Sequence, residues 1–330
     1  MSEYEELTNY IKKLSQNAIL QLLDIVKLML HSTALEKPCC PYCESGNVIR
    51  YGHKCGKQRF LCKHCGRTFV ATTHTIMAQS HFNTEVWEEV IRDTVYGNAI
   101  DYTAQRLKLN HQTVFNMRHK ILIALQQLPE TKNILLGEVT ELDETFVLDS
   151  YKGKQLPDTV NRKARKHGAK AVKRGISNEY VCICTGIQRN GAAYAAAINR
   201  AKPDADELAT LFETHIAQGT LALCDGLKSY NVLTKIADCT VKDCNTSSEE
   251  EKCFYHLNTV NGFHSFIKQK YNFYRGVATK YLNRYNVLFS AAYRNVDCLI
   301  EKLTKTLLTV GTMNLFHSNK DVKAMELLFI

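Results

Sequence analysis

Two pairs of cysteines near the start of the chain constrain its fold more than any other feature. One C-x2-C pair is Cys40 and Cys43. The other is Cys62 and Cys65, and 18 residues separate the two pairs. Each pair presents two thiolates, and a tetrahedral Zn²⁺ ion needs two such pairs. A segment this short has little core of its own, so we expect a zinc ribbon over residues 37–75 in which structural Zn²⁺ supplies much of the folding energy.

The exact ligand set stays open at this stage. Cys39 competes with Cys40 for the same position, and Cys55, His53 or His64 are possible replacements for a ligand. The chain has 13 cysteines, and several others lie singly in apolar segments. We interpret those, Cys182, Cys184, Cys224, Cys239 and Cys298 among them, as small buried hydrophobic residues.

Composition favours a polyanionic partner for this chain. Its 330 residues are enough for two or three domains, and 42 Lys and Arg against 33 Asp and Glu give a formal charge of +9. No apolar stretch is long enough to cross a bilayer, so we expect no membrane partner. The first ten residues are acidic and polar, which is unlike a signal peptide, and a cytoplasmic protein is expected.

A helical region over residues 80–129 predicts a helix-turn-helix DNA-binding domain. Two short helices meet at Leu109-Asn110; Asp101 is expected to cap the first and Asn110 the second. A helical hairpin that binds nothing is the alternative interpretation. The start of the second helix would reach base edges, and Arg118, with His119 and Lys120, would contact phosphates. The residues predicted to read bases are His111, Gln112, Thr113 and Asn116.

The chain between residues 137 and 298 predicts a mixed sheet with helices on its faces. Its patterns alternate in the order β, β, β, α, β, α, β, α. Before the ribbon, residues 1–36 predict a helical segment rich in leucine, and residues 299–330 predict a C-terminal helical tail. The fold class expected is therefore multidomain α+β.

Two aspartates occupy positions in this sheet where ligands gather. Asp143 lies inside the first strand and Asp225 ends the fourth. A later helix has Val260, Phe263, Ile267 and Tyr271 at the spacing of a buried stripe. Its other face gathers Asn261, His264, Ser265 and Lys268. Asp143 and Asp225 could share a divalent metal ion, with Asn261 as an additional candidate.

These motifs together resemble the DDE transposases of bacterial insertion sequences, and more narrowly the insertion-sequence family fifteen ninety-five. The matching blocks cover most of residues 38–290: "CPYC…CKHC", "AQRLKLNHQTVFNMRHKIL", "GEVTELDETFV", "LALCDG" and "HLNTVNGFHSFIK…YRGVATKYLNRY". The resemblance implies an RNase H-like catalytic domain after the zinc ribbon and helix-turn-helix. In many relatives the third catalytic residue is Glu, followed seven residues later by Lys; here Asn261 and Lys268 stand at those positions.

The resemblance implies metal-dependent cleavage of transposon ends followed by strand transfer. Mg²⁺ or Mn²⁺ ions about 4 Å apart would be held by Asp143, Asp225 and Asn261, with Lys268 against a DNA phosphate. His256 and Asn258 would orient water or a ligand, or would only cap the helix. Glu144 and the acidic run 249–251 are rival third ligands; Glu144 is ranked lower because it points to the opposite face of its strand.

The implied partners are double-stranded DNA, as terminal inverted repeats and as target, and further copies of this chain assembled on it. Such a bacterial enzyme would be associated with the nucleoid. The basic stretch 161–175 and Lys280, Arg284 and Arg294 would add positive charge near the site. Two alternatives are a zinc-ribbon and helix-turn-helix regulator with an inactive RNase H-like domain, and a metal-dependent nuclease that does not transpose.

Overall fold

The computed structural model describes residues 38–324, apart from position 55, most positions between 154 and 173, and positions 247, 249 and 250. The predicted helical segment 1–36 and most of the basic stretch 161–175 lie outside the described residues. The chain forms two compact units. The first contains the described residues up to His74 together with Val310–Asn314, and the second contains Thr75–Thr309 and the described residues from Leu315 onward.

The first unit is a small antiparallel sheet built around four cysteines. Its strands are β1 (Val48–Lys54), β2 (Lys57–Cys62) and β3 (Thr68–Val70), with β2 in the centre. The buried core is limited to Cys40, Val48, Phe60, Cys62 and Phe69. Such a core is too small to hold a fold by apolar burial alone, which agrees with the expected need for metal.

Four helices open the second unit. They are α1 (Thr84–Tyr96), α2 (Ile100–Leu107), α3 (His111–Gln127) and α4 (Pro129–Lys132). Asn110 caps α3 as predicted, because its side chain accepts a hydrogen bond from the backbone N–H of Gln112. The cap predicted for α2 is wrong: the helix begins after Ala99, and Asp101 lies within its first turn.

The rest of the second unit is a five-stranded mixed sheet with helices. The strands are β4 (Val139–Leu148), β5 (Tyr180–Gln188), β6 (Ala193–Arg200), β7 (Leu221–Cys224) and β8 (Thr240–Asp243). Their order across the sheet is β6-β5-β4-β7-β8. The pairs β4–β5 and β5–β6 are antiparallel, whereas β7 is parallel to β4 and β8 to β7. The predicted mixed α/β architecture is confirmed.

Helices follow and connect these strands in the predicted order. They are α5 (Ala205–Phe212), α6 (Leu233–Ile236), α7 (Asn258–Phe273), α8 (Leu282–Ala292), α9 (Val296–Leu308) and α10 (Asn319–Ala324), with short 3-10 turns at Lys228–Val232, Cys244–Thr246, Glu251–Cys253 and Thr279–Tyr281. Asp204 caps α5 in a capping box with Glu207. In the described part of the chain, every helix is too short or too polar to cross a membrane.

The two faces of the sheet have separate apolar cores. One face packs against α1, α3, α7, α8 and α9, through residues such as Ile183 and Ala195. The other packs against α5 and the segment around Tyr230 and Leu233. Side chains alternate along β4, so Asp143 lies beside Thr185 on the first face and Glu144 beside Cys184 on the second.

The isolated cysteines are mostly buried as predicted. Cys182, Cys184, Cys224 and Cys239 are all buried and pack in the second core. The prediction that Cys298 is buried is wrong, because this residue is exposed at the start of α9.

Candidate active site and metal centre

Four thiols of the first unit converge on one point. The Sγ atoms of Cys40, Cys43, Cys62 and Cys65 lie within 4.8 Å of one another. The Cys40–Cys65 and Cys43–Cys62 pairs are each 3.6 Å apart. Zn–S bonds of about 2.3 Å in a tetrahedron require sulfurs about 3.8 Å apart, so the donor set fits Zn²⁺.

The geometry also decides the ligand register left open by the sequence. Cys40 is buried in the cluster and Cys39 is exposed outside it. His53 and His64 are exposed, and Cys55 lies outside the described residues. The four thiols influence one another: the backbone N–H of Cys65 lowers the pKa of the Cys62 thiol to about 6, whereas the pKa of Cys43, lowered by the Ser45 backbone, is raised overall by burial and by the other three thiols.

Asp143 and Asp225 come together at the second unit's sheet. Asp143 is in the middle of β4, and Asp225 follows β7, which is parallel to β4. Burial, together with the negative charge of Asp225, raises the pKa of Asp143 to about 6, although the Glu144 N–H, 2.8 Å from its carboxylate, opposes the shift. A cation bound beside Asp143 would offset the cost of holding its carboxylate charged next to that of Asp225.

The chain after β7 turns at a glycine that lies against Asp243. Gly226 has φ +89°, and a Cβ there would come within 2.6 Å of Oδ2 of Asp243. A glycine is therefore required directly after Asp225. Among the described residues, no third carboxylate, imidazole or thiol joins Asp143 and Asp225 as closely as the four cysteines join each other.

Helix α7 lies against the same face of the sheet as Asp143. Its buried stripe is the predicted one: Val260, Phe263, Ile267 and Tyr271. Asn261 and Lys268 are exposed and seven residues apart, so they share a helix face. The positive charge of Lys268 lowers the pKa of Asp143 and so opposes the effect of burial. Lys268 is therefore near enough to Asp143 for their charges to interact. No hydrogen bond connects the Asn261 amide to any described residue.

His264 was noted in the sequence but given no role, and it contacts Asp143. Its Nδ1 is 3.7 Å from Oδ2 of Asp143, and its Nε2 is 2.7 Å from Oγ1 of Thr185. Burial, together with the charge of Lys268, lowers the pKa of His264 to about 4, so the ring is neutral at physiological pH. The sequence signal that could have given His264 a role was its position three residues after Asn261, on the same part of the helix surface.

Glu141 was missed entirely, although it lies two residues before Asp143. Its carboxylate is fully buried. It accepts hydrogen bonds from the backbone N–H groups of Thr259 (2.8 Å) and Val260 (3.0 Å) and from the Thr259 hydroxyl (2.9 Å). Arg189 Nε completes the set at 2.7 Å. Glu141 therefore attaches the first turn of α7 to the strand that carries Asp143.

Three further candidates occupy different surroundings. His256 accepts hydrogen bonds from Arg189 at its ring nitrogen and its carbonyl, both 3.1 Å long. Asn258 opens α7. Glu144 faces away from Asp143, as predicted, and burial raises its pKa to about 7 although the Tyr230 hydroxyl opposes the shift. Of the acidic run 249–251, only position 251 is described, and it pairs with Lys242 at 3.3 Å.

The predicted base-reading residues lie together at the start of α3. His111 and Gln112 are exposed, Thr113 and Asn116 are half-buried, and Gln112 donates a 3.0 Å hydrogen bond to Asn116. The prediction that Arg118 contacts a DNA phosphate is wrong. It is 1% exposed, donates to the carbonyl of Asn98 at 2.6 Å, and lies over the Tyr274 ring. It is inside the core and cannot contact a phosphate.

Three other predicted cations are also engaged in the protein. Arg284 is buried and donates a 2.9 Å hydrogen bond to Nδ1 of His119, which is itself buried. This corrects the expectation that His119 contacts phosphates, and it places the charge of Arg284, expected near the site, in the core. Arg294 donates to the carbonyl of Gln188 at 3.0 Å. Lys280 lies over the Tyr281 ring.

Comparison with known proteins identifies the sheet-containing part of the chain. Residues 134–294 match the family model of the ISXO2-like transposase domain. The chain carries an ISXO2-like transposase domain. This domain includes β4 to β8, α7 and α8, and therefore Asp143, Asp225 and the helix that follows them. The recognition of an insertion-sequence transposase is thus confirmed.

A relative extends the similarity beyond the transposase domain. The chain is 24% identical over 249 residues to an uncharacterized protein in transposable element ISH50 of Halobacterium salinarum. The match covers 74% of this chain and 82% of that relative. Because that organism is an archaeon, the bacterial origin expected from the sequence is not confirmed.

Proposed function

We propose that this protein cleaves DNA at the ends of an insertion sequence and transfers the ends to target DNA. The observation that carries this proposal is the placement of Asp143 and Asp225 within the transposase domain. Asp143 lies on β4 and Asp225 directly follows the neighbouring parallel strand β7, close enough for the charge of Asp225 to raise the pKa of Asp143. This is the arrangement that phosphoryl transfer at a DNA phosphodiester needs.

The catalytic domain, in this proposal, is RNase H-like and spans residues 137–298. The strand order and the antiparallel β4–β5–β6 trio followed by two parallel strands support it. Residues 37–75 would be the zinc ribbon and residues 80–129 the helix-turn-helix. The tight α2–α3 turn, with Asn110 as the cap of α3, supports the latter.

Asp143 and Asp225 fit a divalent cation that takes oxygen ligands. The negative charge of Asp225 raises the pKa of Asp143, and Asp143 is largely buried. Mg²⁺ or Mn²⁺ bound there would activate the attacking oxygen and stabilise the leaving one. Asn261 would offer a neutral third oxygen from α7. Lys268, exposed on the same face, would hold a DNA phosphate as a point charge.

The front part of the chain would recognise the ends. In this proposal His111, Gln112, Thr113 and Asn116 contact base edges of the terminal inverted repeats. The exposed arginines and lysines of the ribbon, such as Arg50 and Lys63, would contact phosphates. A homo-oligomer would pair two ends and bind the target. The protein would then act on DNA of the nucleoid in the cytoplasm.

The deciding experiment is strand transfer with the inverted repeats that flank the gene, in Mg²⁺ or Mn²⁺. We expect cleavage and joining by the natural protein, and a loss of at least a hundredfold in Asp225→Asn. Asp238→Asn is the matched control, since Asp238 is exposed and its left-handed backbone suits Asn.

Other outcomes would point to other functions. Cleavage without joining would indicate a nuclease. Binding of the ends with no metal-dependent product would indicate a regulator. Unchanged joining by Asp225→Asn would reject the site assignment itself.

A further inference from the structure

Two aromatic side chains lie next to each other just before helix α7. Phe254 is 45% exposed, and Tyr255 beside it is half-buried. Their ring centroids are 5.2 Å apart, and their planes meet at 84°. Both residues follow the short 3-10 turn Glu251–Cys253. Because Tyr255 leaves nearly half of Phe254 uncovered, the Phe254 ring is open to a partner.

Each of these rings lies against a cation. The guanidinium carbon of Arg189 is 5.1 Å from the centroid of the Phe254 ring. Nζ of Lys242 is 4.7 Å from the centroid of the Tyr255 ring. Arg189 is itself held by Glu141, with its Nε 2.7 Å from the carboxylate. Since a fixed guanidinium lies over the ring, Phe254 presents a flat apolar surface that is held in place.

The Phe254 ring is connected to the helix that lies beside the proposed catalytic aspartates. Glu141, which holds Arg189, also accepts hydrogen bonds from two backbone N–H groups in the first turn of α7. Asn261 follows directly in that helix and is exposed. Glu141 is two residues before Asp143 on β4, so their side chains lie on the same face of the sheet. The exposed ring therefore lies at the edge of the proposed cleavage site.

The surroundings of the ring favour a nucleotide over an apolar protein segment. A protein docking site buries a wide apolar patch, whereas Phe254 is a single exposed ring beside the charged groups of Arg189 and Lys242. A nucleotide offers a flat base to the ring and negative charge to its cationic neighbours. An aromatic ring stacks on every kind of base, so this contact needs no particular sequence.

We propose that Phe254 stacks on an unpaired base at the DNA end that is cleaved. This rests on the proposed function, because it concerns the same DNA. Inside a duplex both faces of a base are covered by its neighbours, so only a base that has left the stack can reach the ring. Stacking on Phe254 holds the end open beside Asp143 and Asp225, where the phosphodiester must enter.

The test combines Phe254→Ala with inverted-repeat duplexes that lack one base at a time near the cleavage point. The last few base pairs are mismatched in every substrate, so that unpairing costs equally little in all of them. Cleavage and joining by the full chain are measured in Mn²⁺. For the natural protein we expect one position at which removal of the base slows the reaction about tenfold, because the stack is lost.

Phe254→Ala should be slower by a similar factor on the substrate with all its bases. Removal of the critical base should then cause no further loss, because the ring and the base act through one contact. Phe254→Trp should retain the reaction, since an indole also stacks on a base. Phe273→Ala is the matched control and should change nothing, because it removes another exposed ring at the last residue of α7.

A second measurement needs no catalysis. A base stacked on an indole quenches its fluorescence, and Trp87, the only natural tryptophan, is buried in the core of the second unit. The emission of Phe254→Trp, after subtraction of that of the natural protein, should fall when the mismatched end binds. It should fall much less when the critical base is missing. Trp87 fluorescence confirms folding of the alanine variants.

The outcomes separate failure of this inference from failure of the proposed function. If the natural protein joins ends but the losses from Phe254→Ala and from every missing base multiply, Phe254 contacts no base and only this inference fails. If the natural protein neither cleaves nor joins, the proposed function fails and the fluorescence decides alone. Quenching that requires one particular base then supports stacking, and emission that is insensitive to every base rejects it.

Discussion

Glu141 shows how one buried side chain organises a site without touching its reactants. Its carboxylate receives two backbone N–H groups and a hydroxyl from the start of α7, and the charge of Arg189. A buried ion pair adds little net stability, but removal of one partner leaves the other charge uncompensated. Glu141 therefore fixes the position of the first turn of α7 against β4.

Replacement of Glu141 by Gln should destabilise the second unit. The amide cannot balance Arg189 and presents an N–H to other donors, so we expect a loss of about 2–4 kcal/mol in the free energy of unfolding. Urea titration monitored by Trp87 fluorescence measures it. Glu138→Gln, at an exposed position three residues earlier, is the matched control and should change little. Equal stability of the two variants would contradict the role assigned to Glu141.

The limits of sequence interpretation are visible in these same residues. Asp143 and Asp225 were found because the first lies in a strand of recognisable pattern and the second directly follows another. Glu141 reads as one more charge in "ELDET", and its burial depends on an arginine 48 residues away in a different strand connection. His264 reads as part of a polar helix face, yet it is buried because α7 packs that edge against Thr185. Contacts between distant segments decide both cases.

At the scale of elements, the ribbon and α3 differ in how far sequence determines them. The four cysteines are local in sequence, so their convergence followed from spacing alone. Helix α3 and its cap were also predicted. The sequence did not show which part of the helix is exposed and which part is buried. Its first turn is exposed, whereas Arg118 and His119 lie one to two turns later in the core. Amphipathic spacing cannot show this, because α3 is surrounded there by helices from both sides.

Loss of one thiol should abolish zinc binding by the ribbon. We expect one Zn²⁺ per chain in the natural protein and none in Cys62→Ser, because a hydroxyl does not replace a thiolate as a zinc ligand. Cys39→Ser is the control, since Cys39 is exposed outside the cluster, and it should keep the metal. Zinc is measured by atomic absorption after dialysis. Retention of zinc by Cys62→Ser, or its loss in Cys39→Ser, would show that the register is different.

Arg118 and Gln112 should separate stability from DNA binding along α3. Arg118→Met should lower the free energy of unfolding by about 1–3 kcal/mol and leave the salt dependence of DNA binding unchanged, because its guanidinium bonds Asn98 and not a phosphate. Gln112→Ala should weaken binding to the inverted repeat relative to unrelated DNA, with stability unchanged. Fluorescence anisotropy over a range of salt concentrations distinguishes these results. A reduced salt slope in Arg118→Met would contradict its interior role.

At the scale of the whole second unit, one core connects the helices before the sheet with those after it. Residues of α1 and α3 share an apolar cluster with β5, β6, α7 and α8. The contact between His119 on α3 and Arg284 on α8 lies in this region. Arg284 only donates, so Nδ1 of His119 must accept and the ring must be neutral there. The charge state of one imidazole is therefore linked to the stability of the unit.

This linkage predicts a specific dependence on pH. Burial, with the charges of Arg284, Arg118 and Lys280, lowers the pKa of His119 well below its ordinary value. Below about pH 6.5 the unfolded chain binds a proton at this residue that the folded chain does not, so its contribution to stability is lost as pH falls. His119→Asn offers an oxygen to Arg284 and does not titrate. Between pH 7 and 5, the natural protein should lose about 1–2 kcal/mol more unfolding free energy than this variant, as measured by urea titration with Trp87 fluorescence. Parallel pH profiles would mean that Arg284 does not hold the ring in its neutral form, and that the acid sensitivity of the unit arises elsewhere.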